Sequence, residues 1–147
     1  MRRLAALMVL VVLAVGGGAR AGELASPPPD WDHPRKLVLQ LDSDDPHKVN
    51  GIFDNVVNTQ KFYGLDNVKI AVVAYGPGVR ALLKASAPAP ERVAALIYTQ
   101  VEMVACGITL SSLGKTKADL LPGVTVTPAG VPELMERQLK GWIYVAP

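Results

Sequence analysis

Sulfur, imidazole and aromatic side chains are all scarce here: the 147 residues include one cysteine, two histidines and 5% aromatics. A lone thiol excludes an internal disulfide framework and any zinc or iron–sulfur site built from several thiolates. The two histidines, His33 and His47, have no serine elbow near them, so a Ser-His-Asp hydrolase has no support. No lysine/arginine cluster is present either. Met1 to Ala21 holds Arg2, Arg3 and Arg20 and no acid, so the formal charge of +2 for the chain becomes −1 for the 126 residues that follow. A broad basic face for nucleic acid is thereby excluded. No long apolar run occurs after residue 21, so the mature protein is expected not to be embedded in a membrane.

The apolar residues that are present fall into two parts. Arg2 and Arg3 precede an uninterrupted apolar run from Leu4 to Val15, and Ala19-Arg20-Ala21 supplies a small-x-small cleavage pattern. Twelve apolar residues make a helix of only about 18 Å, short of the roughly 30 Å of a bilayer core. Residues 1–21 are therefore predicted to be a cleaved signal peptide, which places the mature protein in the periplasm or outside the cell. Residues 22–34 carry four prolines, three of them consecutive at Pro27 to Pro29, and are predicted to form an extended linker. A single domain is expected over residues 35–147, long enough for one sizeable core.

Within that domain, short apolar runs alternate with helical periodicity. Lys36 to Asp42 reads as a buried strand, and Ser43-Asp44-Asp45-Pro46 as a helix start with a carboxylate cap and proline in the first turn. Val49, Ile52, Phe53, Val56, Val57 and Gln60 recur at three- and four-residue spacing up to Gly64, which predicts an amphipathic helix. Val68 to Tyr75 is β-branched with little alternation, as expected of a strand covered on both faces. Gly76-Pro77-Gly78 ends it, a short helix is expected around Val79 to Leu83, and a second runs through Val93, Leu96, Ile97 and Gln100. Strands at Val101 to Cys106, Gly123 to Thr127 and Trp142 to Val145 complete the pattern, with helical segments at Ile108 to Leu113 and Pro132 to Leu139. Such alternation implies right-handed crossovers, hence a three-layer α/β domain with a mainly parallel sheet of about five strands.

Cys106 falls at the carboxyl end of the third strand, where open parallel sheets bind ligands. Free amides at the start of the next helical turn favour a thiolate, the nucleophilic form. Gly107 permits close backbone approach, and Thr109 adds a hydroxyl donor. The Gly76 and Gly78 turn is expected to line the same pocket, where amides of Gly78 and the Arg80 side chain meet an anion. Chemistry of this kind suits a thiol that holds or receives sulfur. The competing reading is a small buried hydrophobe, the commonest role of a free cysteine.

Several stretches together resemble the DsrE/DsrF-like family. They are Val101 to Leu110 around Cys106, Asp119-Leu120-Leu121-Pro122-Gly123-Val124, Pro128-Ala129-Gly130-Val131, the closing Gln138 to Pro147, and the Val68 to Val79 strand with its Tyr75-Gly76-Pro77-Gly78 turn. The resemblance implies a flavodoxin-like fold, a homo-oligomer (trimer or hexamer) and a sulfur-carrier role for Cys106, which matches the cysteine of the family's Cys-x-x-Thr pattern. A sulfur donor or acceptor protein is the implied partner. The chain departs from the pattern at Ile108, a position often polar in relatives, and in its export signal, since the well-studied carriers are cytoplasmic.

The remaining constellations are weaker. Asp42, Asp44, Asp45 and His47 offer oxygen and nitrogen ligands for a divalent cation, although such a run more often caps a helix and stays solvated. No metal or other cofactor is assigned. Tyr75-Gly76-Pro77-Gly78 matches neither dinucleotide nor Walker loops. Glu102 lies four residues before Cys106, about 13 Å along a strand, too far for a direct base. The expected function is sulfur transfer as a persulfide on Cys106. The alternative is a non-catalytic oligomeric protein that binds a small ligand or metal and in which Cys106 is structural.

Overall fold

The computed structural model describes residues 23–147. The expected signal peptide, residues 1–21, and the first residue of the expected linker lie outside the described residues. Residues 23–34 contain neither helix nor strand and are tied down by the Arg35 guanidinium, which donates to the carbonyls of Ala25 and Pro27.

Five parallel strands form the sheet in the order β4-β3-β2-β1-β5. They are β1 (Arg35–Leu41), β2 (Val68–Ala74), β3 (Glu102–Cys106), β4 (Thr125–Thr127) and β5 (Ile143–Val145). The connections β1 to β2, β2 to β3 and β3 to β4 all step in one direction across the sheet, so right-handed crossovers put their helices on one face. These helices are α1 (Pro46–Tyr63), α2 (Pro90–Tyr98) and α3 (Gly107–Ser112), with a 3-10 stretch at Gly76–Leu82. The step from β4 back to β5 runs the other way, and its helix α4 (Gly130–Leu139) covers the opposite face. The expected three-layer α/β architecture with about five parallel strands is thus what the chain adopts.

Strand parity divides the core accordingly. Leu39, Leu41, Ile70, Val72, Met103 and Ala105 point toward α1 and α2 and pack with Val49, Phe53, Val56, Val93 and Leu96. Val38, Ala71, Val73 and Val104 point the other way, onto Leu134 of α4. Two buried faces on every central strand explain why β2 reads as continuous apolar sequence, with only Lys69 exposed. The α4 layer is held by charge as well: Arg137 pairs with Glu102 of β3 at 2.7 Å and Glu133 at 2.8 Å, and its guanidinium stacks 4.6 Å above the Trp142 ring.

Local chemistry sets the helix ends. Asp45 Oδ1 accepts from the amides of His47 at 2.9 Å and Lys48 at 3.0 Å, and Pro46 occupies the first turn of α1. The hydrogen bond donated by the Lys48 amide is the main reason that the Asp45 carboxyl sits below the ordinary aspartate range. Gly64 closes the helix at φ +86°, a conformation that only glycine adopts readily.

Some boundaries differ from the sequence expectation. The pattern through Gln100 predicts a longer α2, but the helix ends at Tyr98 because Gln100 turns the chain at φ 64° into β3. Trp142 is not part of the last strand; it lies beneath Arg137, leaving β5 only three residues. The segment after β2 is 3-10 rather than α-helical. Gly78 explains its path: a Cβ there would stand 1.9 Å from the Leu41 carbonyl oxygen, so the backbones of the 3-10 stretch and β1 pass closer than any other residue allows. Gly78→Ala is expected to destabilise the fold by at least about 2 kcal/mol, as forced overpacking does, measured as a lowered urea midpoint at unchanged slope.

Candidate functional site

Cys106 is the last residue of β3 and stands at the N-cap position of α3. Its neighbour strand β4 ends at Thr127, directly opposite in the ladder. From this pair of strand ends the chain leaves in opposite directions, α3 to one face and α4 to the other. This is the sheet's topological switch point, the place where open α/β sheets form a crevice. The amino ends of both helices therefore converge on one sulfur atom.

The hydrogen bonds around that atom follow from this arrangement. The Gly130 amide, first in α4, donates to Cys106 Sγ at 3.2 Å. It approaches so closely because it carries no side chain: a Cβ on Gly130 would lie 2.8 Å from Tyr75 Cβ and 3.3 Å from Cys106 Cβ. Thr109 takes part from the other side. Its hydroxyl oxygen accepts the Gly76 amide at 3.1 Å, which leaves the hydroxyl hydrogen to point at Cys106. Burial pushes the Cys106 thiol up, but the polar hydrogens turned toward it, of the Thr109 hydroxyl and amide, of the Gly130 amide and of the Ile108 amide that also meets the Pro128 carbonyl, outweigh it and hold the thiol below the ordinary cysteine value. The residue retains 5% of its surface, so the thiol is buried at the strand end.

The residues expected at this site separate into two groups. Gly107 and Thr109 flank the thiol, and Gly76 reaches it through Thr109. Gly107 is needed where α3 leaves the sheet, since a Cβ would come within 3.0 Å of the Thr127 carbonyl. Gly78, expected among the anion-binding amides, instead donates its N–H to the Tyr75 carbonyl at 3.1 Å and serves packing against β1. Arg80 is directed to Asp44 at 3.6 Å and is not an anion ligand of the thiol pocket. Among the described residues no three His, Cys, Asp or Glu side chains converge as a metal site, and the acidic loop after β1 is divided between the Asp45 cap and the Asp44–Arg80 pair.

Two features were not found by sequence reasoning. One is the Gly130 amide, whose role depends on β4 lying beside β3. The other is a hydroxyl cluster in which Tyr75 and Tyr144 both donate to Gln40 Oε1, at 2.8 and 2.6 Å. Burial, aided by the nearby Asp42 carboxylate and by Tyr144, raises the Tyr75 phenol above its ordinary range and keeps it a donor. Through this cluster the backing of the Gly130 turn is linked to the edge strand.

Fold and site together define an open-sheet α/β protein with a polarised thiol at the switch point. Residues 37–147 match the DsrE/DsrF-like family, and the chain belongs to that family, one of sulfur-relay type. A solved structure of a protein of unknown function from Methanobacterium thermoautotrophicum is similar at 35% identity and TM-score 0.73, covering 77% of this chain and 99% of that one. A conserved protein of unknown function from Bacteroides thetaiotaomicron shares the fold at 17% identity and TM-score 0.60, with 76% of this chain and 94% of that one covered. No curated protein matches.

Because the native thiol is held below its unfolded value, its thiolate form contributes stability that is present above the unfolded pKa of about 8.5 and is lost as pH falls through the native one. Thr109→Val is expected to raise the pH midpoint of thiol alkylation and to slow alkylation at neutral pH by up to about tenfold. An unchanged midpoint would show that the hydroxyl does not polarise the sulfur.

Proposed function

We propose that Cys106 carries sulfane sulfur as a persulfide, receiving it from one protein partner and passing it to another. The observation that carries this reading is the Gly130 amide 3.2 Å from Sγ, joined by Thr109 from the second helix start. Donors arranged in this way stabilise an anionic sulfur, whether thiolate or the more acidic persulfide. In the loading step the Cys106 thiolate attacks the outer sulfur of a donor persulfide. The new S–S bond forms as the donor's own S–S bond breaks, the donor leaves as a thiolate, and nothing is oxidised or reduced overall. Unloading repeats the step with an acceptor thiolate.

The second reading, a packing cysteine, is favoured by the 5% exposure. Intact mass separates the two. After incubation with polysulfide the native protein is expected to gain sulfur at Cys106, and Cys106→Ala to gain none. Labelling only of the unfolded chain, with no sulfur added to the native one, would establish the packing role.

Transport out of the cytoplasm and self-association belong to the same proposal. The leader signal supports export, and no helix among the described residues is long and apolar enough to cross a membrane. Self-association is supported by the edge strand, where Ile143, Tyr144 and Val145 are 60, 36 and 41% exposed beside Leu139 at 80%. An apolar strand edge without charge is a ready pairing surface. Light scattering at micromolar concentration is expected to give a trimer or hexamer, and Ile143→Lys to reduce it to smaller species. A monomeric parent protein would refute the assembly.

A further inference from the structure

The helix α4 begins without a cap of its own. Ala129 stands at its N-cap position and has no side-chain acceptor to offer the first amides. A chain of hydrogen-bonded side chains holds this helix start instead. Thr127, the last residue of β4 and the ladder partner of Cys106, donates its hydroxyl to Glu133 Oε2 at 3.1 Å. Glu133 stands in the first turn of α4, and its second oxygen receives Arg137 Nε at 2.8 Å. Arg137 continues to Glu102 at the start of β3, at 2.7 Å. The turn from Thr127 to Glu133 is thereby closed by a side-chain bond, and Gly130 lies within it. On its other side the Pro128 carbonyl accepts from the Ile108 amide at 3.2 Å, which ties the same turn to α3.

Burial separates this chain of bonds from ordinary surface pairing. Thr127 is 7% exposed, one of two buried polar residues among those described, so its hydroxyl is withdrawn from water to meet a carboxylate. The side chains of Glu133 and Arg137 are 26 and 12% exposed. Taking charges out of water offsets most of what their pairing returns, so such groups add little net stability. Their effect here is on geometry. The helix is pinned to β3 at both ends of that strand, by Arg137 on Glu102 and by the Gly130 amide on Cys106 Sγ. An N–H···S bond of 3.2 Å persists only if the helix start neither slides nor tilts.

We propose that Thr127 and Glu133 are positioning residues for Cys106: their hydrogen bond holds the start of α4 so that the Gly130 amide stays on the sulfur. This rests on the reading of Cys106 as the reacting atom, but it is measured on the free thiol without any sulfur donor. The groups acting directly on the sulfur are the Thr109 hydroxyl and main-chain amides, all uncharged. The charges around Glu133 are Arg137 on its own helix and, across it, Glu102 of β3. Removing the Glu133 carboxylate would, by charge alone, favour a nearby thiolate, whereas loss of the Gly130 donor disfavours it. The direction of the change therefore identifies its cause.

Cys106 is the one thiol of the chain, so its thiolate absorbance can be titrated in the native protein against Cys106→Ala. Thr127→Val and Glu133→Ala are each expected to raise the pH midpoint and to slow alkylation at neutral pH about threefold. The double variant is expected to go no further than Glu133→Ala, because both remove the same device, and Thr127→Ser to keep the parent midpoint. Val56→Ala, in the core beneath α1, is expected to lower the melting temperature and leave the midpoint in place. Either single variant decides by itself should the other not fold. A midpoint unmoved or lowered, effects that multiply in the double variant, or an equal rise in Val56→Ala would overturn the positioning role. A parent protein that gains no sulfur from polysulfide would instead end the carrier reading and leave this one standing.

Discussion

The reversal of direction after β4 is the constraint on which the rest of the structure depends. Parallel strands joined by right-handed crossovers place every helix of a one-way progression on the same face, and a sheet so built would leave its other face bare. The single return step, β4 through α4 to β5, covers that face with one helix. It also brings the beginning of α4 beside the end of β3, and a backbone amide within hydrogen-bond reach of the sulfur. Layering and thiol polarisation are therefore two results of one topological event.

How firmly α4 is seated matters to the thiol. Its buried contact is small, chiefly Gly130 and Leu134, and Arg137 compensates by joining Glu102 and Glu133 over the Trp142 ring. Arg137 is only 12% exposed in its side chain, so these pairs are less screened than surface ones. Glu102 thus works at the far end of the strand that carries Cys106, as an anchor for the helix whose first amide meets the sulfur. Tyr75, Gln40 and Tyr144 brace the same region from the edge strand.

Much of the fold was legible because burial on both faces writes itself into sequence. The unbroken β-branched run of β2, the periodicity of α1 and the Asp45-Pro46 start each report a local cause. The position of Cys106 at a strand end was legible for the same reason. The donors around it were less so. Thr109 lies three residues beyond the cysteine and is visible in the sequence, whereas Gly130 is 24 residues away and becomes a neighbour only through strand order. Gly78 misled because a glycine beside a turn reads alike whether it frees an amide or admits a neighbouring backbone, and here the Leu41 carbonyl decides. The Gln40 cluster unites residues from three strands or strand ends, and spacing along the chain carries no trace of it.

The bond from Gly130 to the sulfur has one more implication. Its donor is main chain, so no exchange of side chains elsewhere on the crevice wall can delete it while the helix keeps its starting point and that position stays bare. Lineages descended from such an ancestor are free to rewrite the lining and still inherit this one donor at sulfur, whereas the share of acidity that the Thr109 hydroxyl adds goes with its side chain. Kinship among them is then better traced by the course of the polypeptide around the cysteine than by the letters that surround it.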